Sequence, residues 1–431
     1  MSLLFSSTRN PVPLIAFAGD SVTYATIAQN TALITNTVNR GLEHWVCGLL
    51  KQRVRTRPDL NFGISGNTST QLLARIGEVA ACDADFVCVL IGTNDLGGTI
   101  NEALFTTYQS NMRAIYQALS SAGKFVVFVP ILPRSLADTA MLKMMWRFIR
   151  YVRSLQYAGW RNFIVADPSL EYVDPTSATA APRTGFAYDG LHPDVPGAHA
   201  VGGVIATALG PYIPASPGAE MASVTDVYDA TYNPTGNLLT NGILDSTGGN
   251  LGSNGAGAIA ASWTYGFGSN GGTITSLVAT GSKITLANGL PAQRTVLSGA
   301  YTGASGGTLD NATVVTFSQS FGSFTNFSIG DVLQASIDLD VAADASRQIS
   351  IMELRLGVTM GGQAYVNADG GGFGLPMPVG AWSTRLLTPK LTLTAVPTVV
   401  TVGLRVYLLS GANTASGQFD ASAVSLRKVI A

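Results

Sequence analysis

The stretch Asp85-Phe86-Val87-Cys88-Val89-Leu90-Ile91-Gly92-Thr93-Asn94-Asp95 decides the fold. After Asp85 it runs through six apolar side chains without interruption, then breaks into a polar loop. A half-exposed strand would alternate; an unbroken apolar run reads as a strand buried on both faces. Working outward, similar runs occur at 14–19, 59–64, 124–130 and 162–167. Between them lie helix-period segments at 41–53, 71–79, 101–121 and 137–158, with a last one at 198–209. In the 137–158 segment Met141, Met145, Phe148, Val152 and Leu155 make an apolar stripe, while Lys143, Arg147, Arg150 and Arg153 fall largely off it as a solvated face. Buried strands alternating with helices predict a doubly wound α/β domain with a parallel sheet covered on both sides.

Ligands of such sheets bind at the carboxyl ends of the strands, and three polar loops fall there. The first strand ends in Gly19-Asp20-Ser21, the second in Ser65-Gly66-Asn67-Thr68, and the third in Gly92 to Asp95. Gly, Asp and Ser are also ordinary turn residues, so one triplet alone identifies nothing. A Ser or Thr near residue 68 would cap the helix that follows.

Only three histidines exist, His44, His192 and His199, so histidine chemistry is confined to the first half. His44 beside Trp45 and His199 in the last helix read as packing residues. His192 lies in the loop Tyr188-Asp189-Gly190-Leu191-His192-Pro193. Asp189, three residues earlier, can fold back to accept a hydrogen bond from the imidazole and orient it; a plain Asx turn before a helix reads equally well. Ser21, His192 and Asp189 thus supply a nucleophile, a base and its orienter. Acyl transfer also needs donors for an oxyanion, which the backbone N–H groups of Ser21 and Gly66 and the side-chain amide of Asn94 can offer.

Those loops resemble the four blocks of the SGNH (GDSL-type) hydrolases: Gly19 to Ser21, Asn61 to Thr68, Gly92 to Asp95 and Asp189 to Pro193, in that order. The resemblance spans about residues 12–212 and implies a flavodoxin-like three-layer α/β/α fold. It further implies a catalytic Ser21–Asp189–His192 set, an oxyanion hole of Ser21, Gly66 and Asn94, and no cofactor or metal. The chain departs from the pattern at Tyr24-Ala25, where many relatives carry Gly, which would reshape the acyl pocket. Gly303-Ala304-Ser305-Gly306-Gly307 also fits a nucleophile elbow, but no histidine follows it, and it reads as a loop.

The second half differs in kind. After a Pro- and Gly-rich stretch, alternating runs at 314–318, 332–339, 349–358 and 398–408 sit among Gly, Ser, Thr and Asn and predict an all-β sandwich or jelly roll. The expected division is a catalytic domain at 1–212, a linker at 213–235 and a β-sandwich at 236–431. This region loosely resembles carbohydrate-binding jelly-roll modules, which implies that Trp263, Tyr265, Phe267 and Trp382 stack on sugar rings; packing of the sandwich core is the competing reading of each.

Composition narrows the function classes. Charged residues make up 12% of the 431, against about a quarter in an average domain, and the net charge is −1, so no global field draws the chain to nucleic acid or anionic membranes. Three cysteines, Cys47, Cys82 and Cys88, read as buried free thiols rather than a disulfide frame. Met1 to Pro13 lacks the features of a secretory signal, and no apolar run has the length of a membrane span. The expectation is a soluble serine esterase, cytoplasmic or carried on a virion such as a phage tail, or exported by another route, that removes O-acetyl groups from a polysaccharide. Homo-oligomer or virion assembly would suit that setting. A lipase, arylesterase or thioesterase acting on small acyl esters is the alternative within the class, and a surface-binding protein with a vestigial hydrolase domain is the alternative outside it.

Overall fold

A computed structural model describes residues 12–24, 29–30, 34–214, 223–269, 272–303, 313–371 and 376–429. The chain forms two compact units, Met1–Ile27 with Arg40–Pro217, and Ala28–Asn39 with Gly218–Ala431. In chain order the elements begin β1 (Ile15–Gly19), α1 (Ser21–Tyr24), β2 (Gln29–Asn30), β3 (Ile34–Val38), α2 (Leu42–Leu49) and β4 (Asn61–Gly63). They continue with α3 (Ser69–Ala74), α4 (Ile76–Ala81), β5 (Phe86–Leu90), α5 (Glu102–Ser121), β6 (Phe125–Val129), α6 (Thr139–Ser154), β7 (Phe163–Val165), α7 (Ser169–Tyr172) and α8 (Val195–Leu209).

Five strands of the first unit form one sheet in the order β4-β1-β5-β6-β7, every neighbouring pair parallel. Every residue of β1, β5 and β6 is buried, as their unbroken apolar runs require. On α5 the buried side chains Tyr108, Met112, Ile115 and Leu119 follow helical spacing, and Tyr108 stacks on Phe148 of α6 with ring centroids 3.9 Å apart. Caps fix where the helices start. Asn101 accepts the N–H of Leu104, Asp138 accepts that of Met141, and Thr68 with Gln71 closes a capping box on α3. Part of the basic face of α6 is engaged within the unit: Arg147 makes a two-pronged pair with Glu102, and Arg153 pairs with Asp167. Cys47, Cys82 and Cys88 are unbridged; Cys82 is only half-buried.

Among the described residues the second unit is built of strands in mostly antiparallel sheets, two of seven strands and one of three. Its boundaries differ from the expected ones. Residues 28–39 lie far upstream, yet β3 pairs in parallel with the strand Gln363–Gly371, Ile34 opposite Val366 and Thr35 opposite Asn367, and Asn39 N–H donates to the carbonyl of Gly371 at 3.0 Å. Four of the five residues in Ile34-Thr35-Asn36-Thr37-Val38 are β-branched, which suits a strand. The stretch at 223–235 is likewise tied in rather than a bare spacer: Arg427 pairs with Asp226 and donates to the carbonyl of Thr235 at 2.9 Å.

The aromatic side chains expected on sugar rings are mostly interior. Trp263 is 1% exposed, stacks on Phe317 at 4.5 Å and donates its Nε1–H to the carbonyl of Asn241. Tyr265 and Trp382 are also buried, while Phe267 is half-buried. Strand parity explains this: Tyr265 lies opposite Phe317 in the sheet, on the side that carries the core. Of the elbow-like Gly303 to Gly307, residues 304–307 lie outside the described residues, as do nearly all of Met1 to Pro13 and Ala25.

Candidate active site

The sheet delivers its loops to one edge. Ser21 opens α1 directly after β1, and that short helix lies so close to β4 that a Cβ on Gly63 would come within 2.3 Å of the backbone nitrogen of Tyr24. Only glycine permits that approach. Gly66, in the loop after β4, has φ +81°, a conformation that other residues rarely adopt, and its Cα faces open space. Asn94 follows β5.

Residues 171 positions apart in the chain meet here: His192 Nε2 lies 2.8 Å from Ser21 Oγ, and His192 Nδ1 lies 2.6 Å from Asp189 Oδ2. The other carboxylate oxygen of Asp189 accepts the backbone N–H groups of Leu191 at 3.0 Å and His192 at 2.7 Å. The Asx turn and the orienting acid are therefore the same residue. Partial burial works to raise the Asp189 carboxyl, but the His192 and Leu191 N–H groups and the imidazole outweigh it and hold it below its ordinary value. With Nδ1 protonated toward Asp189, Nε2 is free to accept the Ser21 hydroxyl proton.

The side-chain amide of Asn94 donates to the carbonyl of Asn67 at 3.0 Å, which ties the loop after β5 to the loop bearing Gly66. An amide nitrogen carries two N–H groups, so one remains for another acceptor. His44 and His199 lie apart from this chemistry and pack edge-on against Trp45, with centroids at 5.0 and 4.8 Å.

Several supporting residues escape sequence reasoning. Arg75, just past α3, donates to the carbonyls of Phe62 at 2.8 Å and Gly19 at 3.3 Å and to Asn67 Oδ1 at 3.0 Å, joining three site segments with one guanidinium. Asp95 accepts the backbone N–H of Ser69 at 2.8 Å and its hydroxyl at 2.5 Å, and Asn111 of α5 donates to the same hydroxyl. Burial raises the Asp95 carboxyl, against the two Ser69 donors. Tyr188 stacks on His192 with centroids 5.7 Å apart, and the Arg40 guanidinium lies 3.8 Å from the Tyr188 ring centroid. The position of Asp95 inside the polar block is a signal in hindsight; Arg75 and Arg40 carry none, since a basic residue near a helix end reads as a surface charge. Among the described residues no group of three or more His, Cys, Asp or Glu could hold a metal ion, and no helix is long and apolar enough to cross a membrane.

The parallel sheet thus brings Ser21, His192 and Asp189 into one hydrogen-bonded series at its carboxyl edge. Residues 17–200 match the model of the GDSL-like lipase/acylhydrolase family. No curated protein matches the chain in sequence. Among solved structures, a GDSL-like lipase from Bacteroides thetaiotaomicron is 19% identical over 48% of this chain and 91% of its own, at a TM-score of 0.34. An acetyl-xylooligosaccharide esterase from Geobacillus stearmophilus, in a mutant form, is 22% identical over 47% of this chain and 94% of its own, at 0.34. A carbohydrate-binding module of the β-sandwich superfamily is 9% identical over 38% of this chain and 56% of its own, at 0.25.

Proposed function

We propose that the first unit is a serine esterase that forms an acyl-enzyme on Ser21 and removes O-acetyl groups from a polysaccharide. The observation that carries the reaction type is the hydrogen-bonded series from Ser21 through His192 to Asp189. His192 Nε2 takes the hydroxyl proton as Ser21 Oγ attacks the ester carbonyl. Asp189 holds the imidazole and balances the cation. The N–H groups of Ser21 and Gly66 and the amide of Asn94 receive the oxyanion. When the C–O bond breaks, His192 returns the proton to the departing sugar hydroxyl, leaving an acetyl ester on Ser21. Water then repeats the sequence and releases acetate.

A polymeric sugar is supported by the rim. Tyr24, three residues after the nucleophile, is 51% exposed, and Tyr188 beside His192 is 48% exposed. The Asp189 side chain is itself 42% exposed, so the set lies open enough for a bulky alcohol. Exposed rings with a polar tip suit contacts that are apolar on one side and wet on the other, as a sugar face is. One observation favours a small acyl ester instead: Ile64, next to the Gly66 loop, is also exposed and would suit an acyl chain.

The test is covalent labelling by a fluorophosphonate, expected in the wild type and lost in Ser21→Ala. A folded wild type that takes no label would refute the esterase and favour a binding protein. Acetate release from acetylated xylan, set against hydrolysis of nitrophenyl esters of increasing chain length, then separates the substrates; faster turnover of long-chain esters would overturn the acetyl reading.

A further inference from the structure

We propose that Asp20 is a positioning residue for the Ser21–His192 pair and that Arg134 is the charge set against it, an inference that rests on the esterase reading. Asp20 sits between β1 and the nucleophile and is fully buried, 0% exposed. Its Oδ1 accepts the N–H of Val22 at 3.0 Å, an Asx turn that fixes the bend at which Ser21 projects. Its Oδ2 is buried and has no hydrogen-bond donor among the described residues. A bare carboxylate oxygen in the interior is costly, and such orphans concentrate where a charge has work to do.

The groups that act on it come from four elements: His192 before α8, Asp95 after β5, Arg134 after β6 and Tyr108 of α5. Burial pushes the Asp20 carboxyl up to about 6, against the Val22 N–H and the charge of His192 and with the charge of Asp95. Above that pH the side chain is an anion. It does not touch the imidazole as Asp189 does, yet its field favours the imidazolium that forms when Ser21 gives up its proton, and it needs no rearrangement to do so. Arg134 opposes this. Its Nε is buried with no acceptor among the described residues, and Asp20 is the acid whose charge acts on it.

Two variants separate this role from a merely structural one. Asp20→Asn keeps the shape and the Oδ1 acceptor and removes the charge; Arg134→Met removes the opposing charge. In Asp20→Asn the acid limb of the kcat/KM profile is expected to move to lower pH by about half a unit or more. Its kcat should fall about tenfold with KM little changed, tenfold being the rate equivalent of one pH unit of lost stabilisation. In Arg134→Met the limb moves the opposite way. The imidazole NMR titration of His192 in the Ser21→Ala background is expected to show the same opposed shifts without turnover. Limbs and imidazole titrations that stay in place in both variants overturn the proposal, even if Asp20→Asn slows the enzyme. If Asp20→Asn does not fold, Asp20→Ser takes its place, since it keeps an oxygen to accept the Val22 N–H and removes the charge. A wild type that takes no fluorophosphonate loses the esterase reading and this inference with it, whereas a labelled enzyme whose limbs and titrations stay in place loses this inference alone.

Discussion

The site edge of the first unit and the strands of the second place their aromatic side chains differently. At the site edge of the first unit, polar groups are inside and rings are outside: Asp20 and Asp95 are buried while Tyr24 and Tyr188 are exposed. In the second unit the rings that sequence alone would offer to a ligand, Trp263, Tyr265 and Trp382, are in the interior. Buried charge costs stability unless it is paired and hydrogen-bonded, whereas buried aromatic rings are a main source of it. The difference teaches that contact with a sugar is better sought around Ser21 than on these strands.

The largest expected effect is at the nucleophile. Ser21→Ala should lower kcat by about ten-thousandfold or more, measured as ester hydrolysis at saturating substrate; retained turnover would place the chemistry elsewhere. Trp263→Ala probes the other side of the contrast. It should cost about 3–5 kcal/mol in chemical denaturation while hydrolysis by the folded fraction is unchanged; a folded variant of normal stability that loses glycan binding would turn the contrast around. Asn94→Ala should lower kcat about a hundred- to a thousandfold, and near-normal turnover would remove Asn94 from the oxyanion site.

Asp20→Asn carries a stability arm with a defined sign. The native carboxyl lies at about 6 and the unfolded one near 3.8, so the folded state holds its proton more tightly and loses stability as pH rises between those values. The variant should therefore be more stable than wild type at pH 7 by about 1–3 kcal/mol, with the gain vanishing below pH ~4; equal denaturation curves at pH 7 would deny that the buried charge is strained. The smallest effect is expected at the rim, where Tyr24→Ala should raise KM for an acetylated polymer by about threefold to tenfold, the loss of one ring contact, and leave nitrophenyl acetate untouched.

Much of the first unit was legible because burial on both faces forces an unbroken apolar run, and β1, β5 and β6 carry one. Helix limits were less so. The segment at 41–53 stops at Leu49, and Lys51 and Gln52 take left-handed backbone angles. The segment at 71–79 divides at Arg75 into α3 and α4. The last helix starts at Val195 because Asp194 caps it and Pro196 suits its first turn. Ser21, Asp189 and His192 could be named because each sits in a short polar block whose residue types are chemically restrictive. Arg75, Asp20 and Arg134 could not, since what matters about them is which atoms they meet or fail to meet in the folded chain. The aromatic residues of the second unit were ambiguous for a similar reason: alternation identifies two faces of a strand, but which face meets the other sheet is a long-range fact.

The assignment of β3 to the second unit bears on how the molecule can be taken apart. The chain leaves the nucleophile's own helix, contributes β2 and β3 to a sheet of the other unit, and returns to build the rest of the first. A polypeptide starting at Gly218 would lack that edge and leave the strand Gln363–Gly371 with unpaired backbone groups, a template for self-association. One ending at Pro217 would carry 28–39 without its partner strand. A single cut between Pro217 and Gly218 therefore separates paired strands, and the two units are best produced and assayed as one chain.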